Sequence, residues 1–421
     1  MSHQTTSRIC WCGNTNLSSF SPDYGYCSVC GTLVSQRGLT EELMQVSDDS
    51  QDFYGKEYWF SHQVNEYGQP DIVQRSRQDL PERCVHWLRT LLKYKLPPAK
   101  VLELGSAHGG FVALMQWAGF DAMGLELSPW IVEYAKETFH VPMLQGTLEH
   151  QTLESGSLDA VVLFDVLEHL DHPFESMQLA ANLLKPDGVF MVQMPNYPDG
   201  KTYDEMVAEG DRFLEQMKAI EHLHLLSHRA AEEFFNRLGF TNLTLEQELY
   251  SYDMFLVASR QPMSVIEQEN IDNQLLSTSE GRIVLALIDK AKELEISKSA
   301  LHEVSVKYHA SENDRINRLD IINYQVKDLS QLNTTIQSLR EKLEQQNQKV
   351  SQQNEKSREN RRRLRSRIKK LQGKLKSKNK EIDALNVENE NIKQENSSIK
   401  SSKIWRIKEK LKSFKTIFPN R

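Results

Sequence analysis

The chain has no run of about 18 apolar residues, and its N-terminus lacks the basic-then-apolar order of an export signal. A membrane-spanning helix is therefore not expected; the expected location is the cytoplasm, with any membrane contact peripheral. Hydrophobic residues make up only 39% of the 421 positions, low for a wholly globular chain, which predicts a long polar segment. Cysteine is rarer still, with five in all and four of them inside the first thirty residues. In a reducing compartment that crowding argues for a metal site rather than disulfides. The net charge of −7 averages over Lys- and Arg-rich stretches at about 356–380 and in the last twenty residues. No aromatic-interleaved basic sheet or groove-reading motif accompanies them, so nucleic acid is not an expected partner.

What the chain does have is the stretch Val101-Leu-Glu-Leu-Gly-Ser-Ala-His-Gly-Gly-Phe111, followed by Gly124-Leu-Glu-Leu-Ser128. An apolar strand runs into a small-residue loop that opens a helix, so backbone N–H groups face a polar ligand at close range. Glu126 ends a second apolar strand 21 positions after Gly105, where an α/β sheet places a carboxylate to accept ribose hydroxyls. Alone, Gly105, Ala107 and Gly110 also fit a degenerate dinucleotide loop. From 100 to 260 strands and helices alternate, which predicts an α/β, Rossmann-like domain whose parallel sheet is covered on both faces.

Two further segments, Leu158-Asp-Ala-Val-Val-Leu-Phe-Asp-Val-Leu-Glu-His-Leu170 and Leu183-Leu-Lys-Pro-Asp-Gly-Val-Phe-Met-Val-Gln193, follow in order. With them, residues 80 to 260 resemble a class I S-adenosylmethionine-dependent methyltransferase. The resemblance implies that Glu103 holds the amino-acid portion of the cofactor and that Gly105, Ala107 and Gly109 let the backbone approach. Glu126 takes the ribose hydroxyls, Leu127 packs on adenine, and Gly146 and Thr147 lie in the adenine-contacting loop. Phe164 and Asp165 face the methyl-donor side. Ala107 stands where the family often has glycine, and Thr147 where that loop usually supplies an acid.

The cysteine pairs Cys10-Trp-Cys12-Gly and Cys27-Ser-Val-Cys30-Gly each read as a knuckle whose turn aims thiolates at one structural Zn²⁺. The first pair is CxC rather than CxxC. A zinc-ribbon-like segment is thus expected over 1–40, similar to that of many bacterial sugar methyltransferases. Cys84 lies in a helical pattern and reads as core. Over 41–99, a helical linker carries Phe53-Tyr-Gly-Lys-Glu-Tyr-Trp-Phe60, which either caps the cofactor cleft or packs the helix on the sheet. Residues 196–221 form a polar, helix-prone insertion expected to act as a lid.

After a helical connector over 261–325, residues 326–400 carry a heptad pattern. Leu329, Leu332, Ile336, Leu339, Leu343 and Val350 keep three-, four- or seven-residue steps, as do Leu364, Ile368, Leu371, Leu375, Ile382, Leu385, Ile392 and Ile399. The phase slips near 357–360, as in a stutter. Polar seam residues (Gln346, Gln353, Asn389, Asn396) fit a self-associating coil that sets its register with amides, so a homo-oligomer is expected. In the tail, 401–421, Ile404, Ile407, Leu411, Phe414 and Phe418 recur at helical spacing between lysines, with Trp405 among them, the pattern of a helix lying on an anionic membrane surface.

Proton removal from the acceptor calls for a base, and imidazoles beside carboxylates suit it. The candidates are His169 and the group Glu221, His222 and His224, with His228. Glu221-His222, ahead of Leu225-Leu-Ser-His, resembles the acceptor-site Glu-His of ribbon-bearing sugar C-methyltransferases. Ala219 and Ile220 replace the aromatic or His found upstream there, which favours O-methylation. The expected acceptor is a glycan or nucleotide sugar in cell-surface polysaccharide synthesis. The alternatives are sugar C-methylation, or a scaffold that binds the cofactor without turnover and recruits glycosyltransferases through its coil.

Overall fold

The computed structural model describes residues 8–344 and 350–401, which divide into two units, Met1–Glu293 and Leu294–Arg421. The first opens with strands β1 (Ser18–Ser19), β2 (Tyr24–Tyr26) and β3 (Leu33–Ser35), joined antiparallel. Gly13 and Gly31 end the two cysteine knuckles with φ of +87° and +83°, a conformation in which any Cβ is strained.

The main sheet holds β4 (Lys100–Leu104), β5 (Asp121–Glu126), β6 (Met143–Gln145), β7 (Leu158–Phe164) and β8 (Leu184–Pro195). A short strand, β9 (His224–Leu225), leaves it to pair with β3, Leu33 opposite Leu225 and Val34 opposite His224. Then β10 (Asn242–Glu246) and β11 (Asp253–Ser259) complete the order β10-β11-β8-β7-β4-β5-β6. The sheet is the expected α/β, Rossmann-like one, with the β4–β8 pairings parallel. Only β11 is reversed, because a short connection lets it return antiparallel beside β8.

Alternation along the strands explains the two cores. Val101, Ala160, Val162 and Phe164 join one cluster with Leu88, Leu91, Phe111 and Val112, while Leu102, Leu104, Val161 and Leu163 join another with Met177, Phe190 and Phe234. Helices Val85–Tyr94 and Gly110–Trp117 supply the first cluster and Pro173–Leu183 and His228–Arg237 the second. Each fully buried Leu or Phe contributes about 1.5–3 kcal/mol. Cys84 is buried in the first cluster. Strand order reverses at β4, whose neighbours are β5 and β7, and a ligand crevice opens outside the carboxyl ends of strands at such a switch point.

The 196–221 insertion forms a helix, Tyr203–Glu209, started by a Thr202–Glu205 capping box, and a 3₁₀ turn, Arg212–Gln216. Its apolar residues Met206 and Phe213 are buried with Tyr24 and Leu33, so this segment packs on the ribbon. In the second unit the helices Ser279–Glu344, whose first turns belong to the first unit, and Val350–Ser401 cover the connector and the heptads. The second runs unbroken through 357–360, as a stutter allows. Leu332, Ile336, Ile368 and Leu385 are exposed in the single chain. Residues 402–421, which carry nearly all of the basic tail, lie outside the described residues. Among the described residues no helix is long and apolar enough to cross a membrane.

Candidate active site

A cavity of about 560 Å³ opens at the carboxyl ends of β4, β5 and β7, within the size range of small-molecule sites. Glu103, Gly105, Ala107, Glu126, Leu127, Gly146, Thr147, Phe164 and Asp165 all line it. Gly109 does not. It caps the helix Gly110–Trp117 at φ +75°, and a Cβ there would meet Ala135 at 2.9 Å, so its role is to turn the chain and admit a neighbouring helix. Gly105, at φ +67°, brings the loop back so that its N–H reaches the Leu125 carbonyl at 2.9 Å; an added Cβ would lie 2.4 Å from Val166. Ala107 takes φ +44° without being glycine.

The two carboxylates of this half differ. Glu126 accepts the Ala107 and Leu127 amides at 3.0 and 2.8 Å, and burial raises its pKa while those amides pull it down. Glu103 is buried, its Oε2 has no hydrogen-bond partner, and burial followed by the charge of Glu126 pushes it well above the carboxylate range. A buried carboxyl with an unmatched oxygen fits a cationic ligand group.

Asp165, at φ +56° after β7, accepts from Gln193 Nε2 at 3.3 Å and faces Arg83 at 3.7 Å. Gln193 also accepts from Trp87 Nε1 at 3.0 Å, and the Trp87 ring stacks on Phe164 at 3.9 Å. Asp253, across Gln193, is held high by burial and by Asp165.

On the far side, Glu221, His222 and His169 come together. Glu221 is buried and accepts from the Tyr58 hydroxyl at 3.1 Å, with His62 Nε2 at 2.8 Å from its other oxygen. His222 places Nδ1 2.7 Å from the Gln216 carbonyl, and its ring meets His169 edge-on at 4.8 Å. Burial lowers the pKa of both imidazoles, that of His222 further. His224 and His228 are not part of the site: His224 turns away to the Leu170 carbonyl, and His228 is exposed.

Tyr54, Tyr58 and His62 are site residues that sequence reasoning missed individually, although the 53–60 aromatic run was their signal. Tyr54, Tyr58 and Trp59 line the cavity. Tyr58–His62 and Leu80–Cys84 are both π-helical turns, a distortion frequent at functional sites.

Away from the cleft, the four Sγ atoms of Cys10, Cys12, Cys27 and Cys30 lie within 4.8 Å of one another. Cys10–Cys30 and Cys12–Cys27 are each 3.5 Å apart, much longer than a disulfide and close to the edge of a tetrahedral thiolate site. Asn14 Nδ2 and Thr32 Oγ1 lie 3.3 and 3.1 Å from Cys27 and Cys30, respectively.

Residues 75–245 match the model of a family described as a methyltransferase domain. The chain is 28% identical over 130 residues to a ubiquinone biosynthesis O-methyltransferase of Xanthomonas campestris pv. campestris (strain B100), covering 28% of this chain and 54% of that one. It is 29% identical over 106 residues to a "Probable S-adenosylmethionine-dependent methyltransferase" of Mycolicibacterium smegmatis, covering 25% and 41%. The match thus spans about half the length of these curated relatives. A solved SAM-dependent methyltransferase of Thermotoga maritima aligns with TM-score 0.35 and 18% identity over 48% of this chain and 99% of that one.

Proposed function

We propose that this chain, which carries a class I S-adenosylmethionine-dependent methyltransferase domain, transfers a methyl group to a hydroxyl of its acceptor. The observation that carries the reading is the pair Glu103 and Glu126 beside the Gly105 loop at the sheet's switch point, inside the segment that matches a methyltransferase domain. S-Adenosylmethionine, when bound, supplies an electrophilic methyl group. Glu126 would accept the ribose hydroxyls, Glu103 would meet the ammonium, and Leu127, Gly146 and Thr147 would line the adenine side. Opposite Asp165, His222 and Glu221 would receive the acceptor under the Tyr54–Tyr58 cap. The Gln216 backbone carbonyl can only accept, so Nδ1 of His222 carries the proton and Nε2 keeps its lone pair. Positioning and proton removal are what such a displacement asks of a protein.

The acceptor class read from the sequence is a glycan or nucleotide sugar, whereas the Xanthomonas relatives are named for ubiquinone synthesis. Methyl release should therefore be measured on both sugar and phenolic acceptors. Turnover on a hydroxyl acceptor, with S-adenosylmethionine binding seen by calorimetry, is the expected result. Binding without turnover on any acceptor would favour the scaffold.

The four cysteines would hold one structural Zn²⁺. Because β9 completes the ribbon's sheet, the full chain rather than a 1–40 fragment is the right sample. Purified full-length protein is expected to carry about one zinc that Cys27→Ser loses. A folded, metal-free wild type would refute the assignment.

The heptad helices would join copies of the chain. A chain ending at Glu293, the limit of the first unit, is expected to sediment as a monomer and the full chain as a larger species. Equal protomer numbers would remove the coil as the cause. The 401–421 tail would then hold the oligomer at an anionic membrane face, tested by flotation with anionic vesicles.

A further inference from the structure

Glu168 lies at the floor of the cleft, only 2% exposed, and neither of its carboxylate oxygens has a hydrogen-bond partner. A buried carboxylate without partners is among the costliest placements for a side chain and persists where something else meets it. One of its oxygens, one ring nitrogen of His169 and one of His222 lie within 4.8 Å of one another, and all three residues line the cavity. The local fold holds them there. Glu168 and His169 sit in the 3₁₀ turn Leu167–His169, and the Glu168 carbonyl accepts the amide of Leu223, next to His222, at 2.6 Å.

One nitrogen of each ring is engaged. Nδ1–H of His222 donates to the Gln216 backbone carbonyl, which leaves Nε2 as the donor atom for a metal, and the Tyr54 hydroxyl stands 3.1 Å from Nδ1 of His169. Outer partners of this kind orient metal-ligating histidines. Lys218 acts on Glu168 through space but gives it no hydrogen bond, and Asp165 adds negative charge nearby.

We propose that Glu168, His169 and His222 bind one divalent transition-metal ion, separate from the cysteine site, whose open positions take the hydroxyl oxygen of the acceptor. Two imidazoles and one carboxylate suit Zn²⁺ or Mn²⁺ and leave room for at least one further ligand. A hydroxyl bound there ionises more readily: its O–H bond breaks heterolytically, the electron pair stays on oxygen, and the proton passes to water. The substrate class is thereby narrowed to acceptors with a hydroxyl, or two adjacent hydroxyls, able to ligate a metal. What the ion does rests on the methyltransferase reading above; that it binds does not.

The test uses the full chain, loaded with zinc and then titrated with Mn²⁺, followed by electron paramagnetic resonance, with total metal per chain measured by plasma mass spectrometry. The wild type is expected to bind about one equivalent beyond the cysteine-held zinc, as Mn²⁺ or as a second zinc. Glu168→Gln, His169→Asn and His222→Asn are each expected to lose that equivalent while keeping the wild-type circular dichroism. No second equivalent of either metal in the wild type overturns the proposal, and so does an equivalent retained in all three folded variants. A wild type that binds the second ion but not S-adenosylmethionine supports the ion site and overturns the methyltransferase reading instead.

Discussion

Glu126→Ala is expected to weaken S-adenosylmethionine binding at least about 100-fold, or roughly 3 kcal/mol, in titration calorimetry. The carboxylate does two things at once. Its oxygens accept the Ala107 and Leu127 amides, which holds the loop in shape, and their remaining lone pairs face the cavity where ribose hydroxyls would lie. Hydrogen bonds to a charged group are worth about 1.5–3 kcal/mol each, and alanine removes every one of them while leaving two backbone amides without their acceptor. Leaving those two amides without their acceptor should also cost the fold about 1–3 kcal/mol each, partly offset because burial opposes the charge on Glu126, so the melting temperature should fall by several degrees. A dissociation constant within threefold of wild type would remove Glu126 from the cofactor site.

Glu126 was legible in the sequence because its placement follows from local rules. An apolar strand has one end, the residue there faces the crevice, and the spacing from Gly105 is set by one helix and one strand. The four cysteines were legible as one cluster, but not as pairs: spacing does not say that Cys10 meets Cys30 and Cys12 meets Cys27. Gly109 shows how adjacency misleads, since His108 beside it lines the cleft while Gly109 serves helix packing. The partners of the 53–62 segment were beyond local rules. His62 and Tyr58 reach Glu221 across 159 and 163 positions, and no periodicity encodes a contact of that range. Residue type alone does not separate His222 from His224; the Glu-His resemblance does, and the two side chains turn to different partners two residues apart. Glu168 reads in the sequence only as the carboxylate beside His169; its burial without hydrogen-bond partners is a property of the fold.

Cys30→Ser should cost the ribbon its fold and the enzyme its turnover while leaving cofactor affinity within about threefold. Structural zinc sites supply about 10–16 kcal/mol of apparent binding free energy, far more than three short strands gain by pairing, so losing one thiolate should unravel the segment. The effect should then travel a short physical path. Strand β3 pairs with β9, the Ser35 amide donates to the Leu223 carbonyl at 2.9 Å, and the Tyr24 hydroxyl donates to the carbonyl of His222 itself at 2.9 Å. Arg8 adds an ion pair to Asp171 at 2.7 Å beside the same turn. The ribbon therefore grips the backbone on which His222 is mounted, whereas the cofactor half stands on β4 and β5 and, among the described residues, none before Met44 lines the cavity. Tyr24→Phe offers a graded version, since it leaves one buried carbonyl unpaired at a cost of about 1–3 kcal/mol without touching the cysteines. It should lower kcat, or raise KM for the acceptor, with an unchanged dissociation constant for S-adenosylmethionine. If Cys30→Ser kept full turnover, the ribbon would have no part in holding His222; if it lost cofactor binding in step with turnover, the two halves of the cleft would be one cooperative unit rather than two supports meeting at Asp165.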